Sequence, residues 1–501
     1  MTAPQQQGER PPQSMLRSLG VVDGVVIAAS STAATTSIAV GMGALAVMVG
    51  RQSPIILILA FLPIIGIAAA YARLNKVEPN CGNGYVWVGK SLGPWLGFLA
   101  GWLVMVGTLI FLAYTSAVSG SVILQLVNQA GLTHIAELAL DPNSTILSTI
   151  VGLIVLAAVT VTAITGVAKA AKLQKYLLIF EYVVLIGFCV AGLVKGDQPF
   201  SWSWLNPFQI GSFTAFAQGL VLAVFFYWGW DAAFSITEET QQVRDAGRGG
   251  FTALFTMLGL FLLGSIAFQR VMSTSDLVAH GAQGLAYFGS KLATQPIASL
   301  LLIALMFSAV GSLQAGVIPN VRQALAMGRD KTLGPAWTKI HPKYGTPATG
   351  TVLTAGIATA VAVLAVGIPS LSQMILAAVN AIGIVVAIYY GLTAMACAVR
   401  FSGLVRTRPV QAVRAVFLPA LCGLVLLGLG GYLVYSYLAS TNHFAVNASN
   451  GYFELLSPAI IVVSGLLVAG WAKWRRRSPY FRVRRVVETE LVTATEPLHQ
   501  P

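Results

Sequence analysis

The sequence predicts an all-α integral membrane protein with twelve membrane-spanning helices. Of its 501 residues, 56% are hydrophobic and 9% are charged, and the mean hydropathy is +0.77. Because a water-soluble domain carries roughly 25% charged residues, most of this surface is expected to face lipid. Twelve apolar runs are each long enough, at about 20 residues, to cross the hydrocarbon core. These runs begin near Val21, Ile55, Trp95, Thr145, Tyr176, Phe213, Gly249, Pro296, Thr346, Ser372, Ala415 and Leu455.

The distribution of positive charge predicts how these helices are oriented. Residues 1–18 are mostly polar and lack the apolar core of a signal peptide, so we expect a disordered cytoplasmic tail. With both termini in the cytoplasm, 26 of the 30 Lys and Arg residues fall in inner segments, and the other 4 are Arg51, Lys195, Arg270 and Lys291. This asymmetry supports an orientation with both termini in the cytoplasm, and we expect a multi-pass protein of the plasma (inner) membrane. It also explains the net charge of +13 without a nucleic-acid partner.

Several chemistries are not predicted. The four cysteines, Cys81, Cys189, Cys397 and Cys422, form no CxxC pattern, so neither a disulfide framework nor a zinc site is expected. No nucleophile is paired with a base and no metal-ligand cluster lies within the apolar runs, so we predict no enzyme, metal site or cofactor. Residues 84–91, GYVWVGKS, do match a phosphate-binding loop. Because no stretch of chain is long enough for the sheet domain that such a loop requires, we expect no ATP binding.

Two of the apolar runs contain polar stretches at membrane depth. In the first, ASSTAATTS places six hydroxyl side chains within eight residues. Such hydroxyls either bond back to their own helix and pack against neighbours, or line a cavity where the helix is broken. In the sixth, FFYWGWDAAFSITEET sets Gly229 between two tryptophans and just before Asp231. Asp231 is in position to cap the half-helix that would follow a break at Gly229.

The positions of these two stretches predict a binding site. If the first ten helices form two five-helix halves of inverted topology, helices one and six occupy corresponding positions. Paired interruptions of this kind point to the site of a secondary transporter. The N-terminus of a half-helix suits a carboxylate, and the exposed carbonyls of the other half suit an ammonium or a cation. A zwitterion would fit between them.

Glu181 is the acidic residue that lies within an apolar run. A charge at this depth costs about 2.5 to 3.5 kcal/mol on insertion scales, so such residues usually face the bundle interior and serve a function. Desolvation disfavours the ionised form, which would let Glu181 carry a proton at physiological pH. Two alternatives remain open: a neutral acid that only hydrogen-bonds another helix, or a side chain that reaches back toward water near Lys175.

Several motifs together resemble the amino acid, polyamine and organocation (APC) superfamily of permeases, over residues from about 19 to 480. The first run, LGVVDGVVIAASSTAATTSI, resembles the opening helix of the family. Residues 71–102 are similar to its Pro, Gly-Gly, Tyr, Leu-Gly and Gly-Trp series, and FFYWGWDAAFSITEET resembles its sixth helix. The segment 308–347 looks like its eighth helix and the following loop, through Arg322, Ala326-Met327, Arg329-Asp330, Leu333-Gly334-Pro335 and Thr346-Pro347.

The resemblance implies the leucine-transporter fold. Two inverted five-helix repeats would span residues 19–195 and 196–400, with helices 11 and 12 in 401–474 and a basic cytoplasmic tail in 475–501. Residues 84–91 would then form a helix along the inner surface of the membrane.

The resemblance also implies which residues form the site, between the unwound parts of helices one and six. The predicted substrate-binding residues are Ser30, Ser31, Thr32, Thr35, Thr36, Tyr114, Tyr227, Trp228, Gly229, Trp230 and Asp231. The predicted ion-coupling residues are Glu181, Ser308 and Ser312. Many proton-coupled members have a lysine on helix five where this chain has Glu181. Its carboxylate could therefore shuttle protons, help to coordinate sodium or attract a cationic substrate.

The function predicted by these features is secondary active import of an amino acid or a related amine, with the proton favoured over sodium as the coupling ion. A polyamine or other organic-cation permease or exchanger is the alternative. A cation channel is more remote because no filter-like motif is present. A nutrient sensor that keeps the fold without transporting is also remote, because the short tails leave little room for a signalling domain.

Overall fold

The computed structural model of the chain describes residues 17–280, 284–367, 371–439, 452–483 and 485–488. Helices make up most of this part of the chain, and the one pair of strands found in it is a short antiparallel hairpin, β1 (His134–Ile135) and β2 (Leu138–Ala139). The predicted tail at residues 1–18 lies outside the described residues except for its last two positions. Of the predicted tail 475–501, residues 484 and 489–501 also lie outside them.

The helices are numbered in chain order. The first group is α1 (Val21–Thr32), α2 (Ala34–Val49), α3 (Ser53–Val77), α4 (Asn83–Ser91), α5 (Pro94–Gln129), α6 (Thr145–Thr165), α7 (Val167–Lys195), α8 (Phe213–Tyr227), α9 (Ala232–Ser235) and α10 (Val243–Val271). The second group is α11 (Thr274–His280), α12 (Gly284–Leu292), α13 (Ser299–Arg329), α14 (Ala348–Ala365), α15 (Leu371–Arg400), α16 (Leu404–Thr407), α17 (Pro409–Ala412), α18 (Leu418–Ala439) and α19 (Tyr452–Trp474).

Eleven helical segments of the described chain are long and apolar enough to cross a membrane. The first, Val21–Val77, has 57 residues. A straight helix of that length would measure roughly 85 Å at 1.5 Å per residue, more than twice the thickness of the hydrocarbon core. The chain interrupts it at Ala33 and again at the turn Gly50–Gln52. The protein is therefore a multi-pass all-α membrane protein, as predicted, whereas the count of twelve spans and the division into repeats stay predictions.

Small residues let the long helix α5 approach its neighbour α6 closely. Gly120 on α5 faces the Ser148 carbonyl, and Gly152 on α6 faces the Ser116 carbonyl. A Cβ added at either glycine would overlap a backbone oxygen of the other helix. Without a hydrophobic driving force between helices in lipid, such close backbone packing is a main source of association.

Replacement of Gly152 by valine is expected to destabilise the protein markedly. The valine side chain meets backbone, which cannot rotate away, so the cost should reach the upper end of the overpacking range, about 3 kcal/mol. The measurement is the unfolding midpoint of the purified protein in detergent. Gly259→Val on α10 is the matched control, because no described residue outside its own turn of helix comes within 4 Å of a Cβ added there. Equal midpoints for the two variants would show that α5 and α6 do not depend on this contact.

Both described ends of the chain lie on one side of the bundle, which we call the terminus face. The backbone N–H groups of Ser18 and Leu19 both donate to the Glu239 carbonyl at 3.0 Å. The Ser478 hydroxyl donates to the Asp330 carbonyl at 2.6 Å, at the end of α13. The side chains of Arg400 and Glu488 form an ion pair at 2.7 Å.

Helix α4 runs along the terminus face and contains the whole stretch GYVWVGKS. The structure confirms the expectation of a helix there rather than a phosphate-binding loop. Tyr480 stacks on Tyr85 with ring centroids 4.4 Å apart, and its hydroxyl donates to the Tyr85 carbonyl at 2.8 Å. The same hydroxyl sits against Gly89 of α4 and Gly97 of α5, where an added Cβ would overlap it. Gly89 of the motif therefore accommodates a tyrosine, not a phosphate.

Candidate functional site

The first helix is broken at Ala33, within the predicted hydroxyl-rich stretch. Ala33 adopts a left-handed conformation, with φ 50° and ψ 64°, between α1 and α2. Around it, the Thr32 hydroxyl donates to the Ala28 carbonyl, and the Ser37 hydroxyl donates to the Thr32 carbonyl. Some of the hydroxyls therefore do bond back to their own helix, as the structural alternative predicted, but the helix is nevertheless interrupted.

The sixth membrane segment is broken at Gly229. Helix α8 begins after the cap of Ser212, whose hydroxyl accepts from the Ala215 N–H, and it ends at Tyr227. Trp228 is extended, and Gly229 has φ 117°, a region that residues with a Cβ rarely adopt. The chain then resumes as the single turn α9.

The two breaks lie against each other. A Cβ added at Gly229 would lie 2.7 Å from the carbonyl carbon of Ser31 and 2.8 Å from the backbone nitrogen of Thr32. Glycine is therefore required at this position for two reasons, the backbone angle and the lack of space. The contact brings the C-terminal end of α1 and the start of α9 to the same point in the bundle.

Glu181 hydrogen-bonds the first break directly. Its Oε1 accepts from the backbone N–H of Thr35 at 3.1 Å, and the Ser308 hydroxyl accepts from the N–H of Thr36 at 3.3 Å. The Ser308 hydroxyl also faces the Glu181 carboxyl. Glu181 is only 2% exposed, so it faces the bundle interior and does not reach back toward water. The side chains of Glu181 on α7 and Ser308 on α13 thus accept hydrogen bonds from N–H groups that have no partner within the helix at the start of α2.

A cavity of about 510 Å³ extends from the two breaks toward the terminus face. This volume includes space that is open to solvent. Its lining residues are Ser31, Asn83, Val104, Thr108, Phe111, Trp228, Gly229, Asp231, Ala232, Ser235, Ala315, Gly316, Pro319, Asn320, Gln323 and Tyr389. Among these, Asp231 is the residue with an ionisable acidic or basic side chain at neutral pH, and no lysine, arginine or histidine is present.

Asp231 does not cap the half-helix that follows Gly229, so that interpretation of the sequence was wrong. It occupies the cap position of α9, but its side chain accepts no hydrogen bond there. Instead its carboxylate accepts from the hydroxyl of Tyr390 at 3.0 Å and from that of Tyr389 at 3.4 Å. The backbone N–H of Gly229 also points to it. The carboxylate therefore ties the broken sixth segment to α15 while remaining part of the cavity wall.

Four of the predicted substrate-binding residues line the cavity: Ser31, Trp228, Gly229 and Asp231. The others are buried around it without lining it. The hydroxyl of Tyr227 donates to the Leu57 carbonyl, Trp230 packs on Tyr71 at 4.9 Å, and Tyr114 packs on Phe111 at 5.5 Å. The remaining buried members are Ser30, Thr32, Thr35 and Thr36. Of the predicted ion-coupling residues, Glu181 and Ser308 meet at the first break, whereas the Ser312 hydroxyl donates to the Ala309 carbonyl of its own helix.

Sequence reasoning missed the polar residues on the terminus-face side of the cavity. Asn83 at the start of α4 hydrogen-bonds the Ser235 hydroxyl at 2.8 Å. On α13, both amide atoms of Asn320 and the Nε2 of Gln323 are buried without a hydrogen-bond partner among the described residues. Buried amides in this state are costly unless a ligand or water serves them. Two amides three residues apart beside Pro319 were the signal in the sequence, because that spacing places them on one helix face.

Aromatic rings close the bundle on the side away from the terminus face. The rings of Phe111 and Trp228 lie 5.7 Å apart, and Phe225 packs on Trp228 at 6.1 Å. The Phe226 ring packs against Gly41 of α2, where an added Cβ would overlap it. The cavity is thus separated from the opposite face by packed side chains of α2, α5 and α8.

Ion pairs hold the terminus face below the cavity. Arg322 Nε donates to Glu239 Oε1 at 2.6 Å, and Arg329 pairs with Glu238 at 2.9 Å. Cys81 lies among these groups, and burial raises the pKa of its thiol well above the ordinary value, with a smaller contribution from Glu238. Burial likewise raises the pKa of the Asp330 carboxyl. The Cys81 thiol therefore stays protonated at neutral pH.

The fold and the site define a class of protein. Broken helices that meet at a cavity inside an all-α membrane bundle are typical of secondary transporters. Residues 19–466 match the family model described as amino acid permease. The chain belongs to the amino acid permease family, and it is a transporter, not an enzyme.

The names of three similar proteins mention three different substrates. The chain is 25% identical to the methylthioribose transporter of Bacillus subtilis (strain 168), over 61% of this chain and 67% of the relative. It is 21% identical to the branched-chain amino acid permease BcaP of the same organism, over 67% of this chain and 72% of the relative. It is 25% identical to the low-affinity putrescine importer PlaP of Escherichia coli (strain K12), over 60% of this chain and 64% of the relative.

Proposed function

We propose that this protein imports an amino acid or a related amine across the plasma membrane by secondary active transport coupled to protons. Access to the cavity would alternate between the two sides of the membrane, with the broken helices as the moving parts. The observation that carries the proposal is the contact between Glu181 and the first break, beside a cavity that both breaks help to line. The names of the relatives, which include an amino acid permease and a putrescine importer, support a substrate of this kind.

The terminus face is proposed to be cytoplasmic. Of the 30 Lys and Arg residues, 26 fall in segments assigned to this side, as expected for a cytoplasmic surface. The cavity extends toward the same face, while aromatic packing closes the other. The structure then corresponds to a state after entry from outside, with the remaining barrier at the ion pairs of Arg322 and Arg329.

Glu181 is the proposed proton carrier. When its carboxyl is ionised, the hydrogen bond from the Thr35 N–H is charge-assisted and strong, and protonation weakens it. Because the bond joins α7 to the start of α2, its strength sets how firmly the outer half of helix one is held. A change of protonation can therefore bias the position of that half-helix, with the Ser308 hydroxyl as the second point of attachment.

The variant Glu181→Gln is expected to lose the response of uptake to a proton gradient. The amide oxygen can still accept from Thr35, so the fold is kept, but the amide cannot bind and release a proton. The measurement is tracer uptake into proteoliposomes with and without an imposed pH gradient. In the unmodified protein a protonophore should collapse accumulation.

Glu137→Gln is the matched control for this experiment. It makes the same chemical change in the exposed hairpin loop between β1 and β2. It should leave the gradient response intact. Gradient-driven accumulation by Glu181→Gln would remove Glu181 from the coupling. Uptake that never saturates with substrate would favour the channel alternative over a carrier.

A further inference from the structure

We propose that Glu181 occupies the seat in which a substrate carboxylate would bind, and that the site therefore selects amines that lack a carboxylate. The inference rests on the proposed transport function and names the substrate class of the same site. It combines two observations: Glu181 occupies the N-terminus of α2, and the cavity wall carries the acidic side chain of Asp231.

The N-terminus of α2 lies at the first break, behind the cavity wall, and it is the part of this break best suited to an anion. A helix of 16 residues carries a positive partial charge at this end, and its first N–H groups have no partner inside the helix. Thr35 gives its N–H to Glu181 at 3.1 Å, and Thr36 gives its N–H to Ser308 at 3.3 Å. Either protonation state of Glu181 keeps an oxygen that can accept from Thr35. The protein thus supplies its own carboxyl group where a zwitterionic ligand would place one.

An incoming carboxylate would have to displace Glu181 from this seat. The displaced carboxyl would lose its N–H partner inside the protein, where an unpaired buried acid is costly. When Glu181 is ionised, two carboxylates sharing the seat would also repel each other strongly at this depth. Among the described residues, no lysine, arginine or histidine lines the cavity to compensate for the second negative charge.

The cavity wall itself favours a cation. Asp231 contributes a carboxylate, and its two tyrosine partners hold it in place without neutralising it. Ser31 stands at the C-terminal end of α1, which carries a negative partial charge and has no basic residue in its last turn. The ring of Trp228 adds a face that attracts an ammonium group. Three independent features therefore act on the positive end of a ligand.

The far wall indicates that the other end of the ligand is polar. Asn320 and Gln323 are 2% and 4% exposed and line the cavity with unpartnered amide atoms. Pro319 has no N–H, so it leaves the Ala315 carbonyl of the same wall without its usual helical partner. A second hydrogen-bonding group, such as the other amine of a diamine, would satisfy these atoms. A plain alkylamine would leave these atoms without hydrogen-bond partners.

The experiment compares each amine with the amino acid that has the same side chain. Cadaverine with lysine, putrescine with ornithine, and agmatine with arginine form suitable pairs for binding measurements on the full-length protein in nanodiscs. Within each pair the amine should bind at least about tenfold more tightly, the effect of one unpaired buried group. Lysinamide should bind with an affinity close to that of cadaverine, because it has the bulk of lysine without the negative charge.

Variants assign the preference to Glu181. In Glu181→Ala the N–H of Thr35 becomes free, so the amine-to-amino-acid affinity ratio should fall to about one. Glu181→Gln keeps an acceptor for that N–H and should retain the preference for amines, even if the alanine variant fails to fold. Asp231→Asn should weaken amine binding by about tenfold while the affinity for amino acids changes less. Glu137→Gln again serves as the unaffected control.

Two kinds of result would overturn the inference. One is tighter or equal binding of the amino acids by the unmodified protein, or no binding by any of the amines. The other is lysinamide binding as weakly as lysine, which would mean that bulk and not charge is excluded. Failure of the proposed function would look different, because the amines would bind with the stated preference but would not accumulate in proteoliposomes.

Discussion

Substitution of Gly229 by alanine is expected to reduce uptake by about a hundredfold, because displacing a binding element by as little as 1 Å can have that effect. The alanine Cβ would need a φ of 117° and would lie 2.8 Å from the Ser31 hydroxyl oxygen. The two breaks must then separate, which changes the cavity wall that both of them form. The measurement is the initial uptake rate, normalised to the amount of protein in the membrane.

Gly187→Ala is the control for this prediction. Gly187 lies on α7, and a Cβ added there has no neighbour within 4 Å among the described residues outside its own turn of helix. Its variant should transport at the normal rate. Wild-type uptake by Gly229→Ala, at equal protein level, would mean that the contact between the breaks does not shape the site.

The second large effect is expected on stability, from the replacement of Arg322 by alanine. This change leaves the Glu239 carboxylate, whose side chain is 10% exposed, without its partner at 2.6 Å. Removal of one member of a buried ion pair typically costs about 3 to 5 kcal/mol. The guanidinium also donates to the Ile318 carbonyl at 3.1 Å, and that bond is lost too. The unfolding midpoint in detergent and the yield of monodisperse protein should both fall sharply.

Two comparisons make this prediction specific. Arg329→Ala breaks the neighbouring ion pair between Arg329 and Glu238. The Arg329 side chain is 40% exposed, and exposed ion pairs contribute about 0 to 1 kcal/mol to the free energy of unfolding. The double variant Arg322→Met with Glu239→Leu leaves no charge unpaired and should recover most of the lost stability. Equal losses for Arg322→Ala and Arg329→Ala would contradict the assignment of the first pair as buried.

Features that depend on local chemistry could be predicted from the sequence. Lipid-facing composition and apolar runs predicted an all-α membrane bundle, and most predicted helix starts lie within a few residues of the observed ones. Gly229 and the hydroxyl-rich stretch predicted the two breaks, because a missing Cβ and a cluster of hydroxyls are local signals. The family is likewise confirmed by the match over residues 19–466.

Contacts between distant parts of the chain could not be predicted. The partners of Asp231 are tyrosines about 160 residues later, and local reasoning assigned it to a cap instead. Glu181 bonds a backbone group 146 residues earlier, a contact that no spacing rule predicts. Asn83, Asn320 and Gln323 reach the cavity only because α4 and α13 meet there. The polar side of the site is therefore a product of tertiary packing.

The segment around Tyr480 connects parts of the terminus face that are far apart in sequence. Its aromatic ring fills the slot between Gly89 and Gly97, the N–H of Val486 donates to the Lys90 carbonyl, and Glu488 reaches the end of α15 through Arg400. This segment, which we call the clasp, contacts both α4 and α15 and therefore resists sliding of one helix against the other. Conformational change on this face must therefore either carry these helices as one body or first open the clasp.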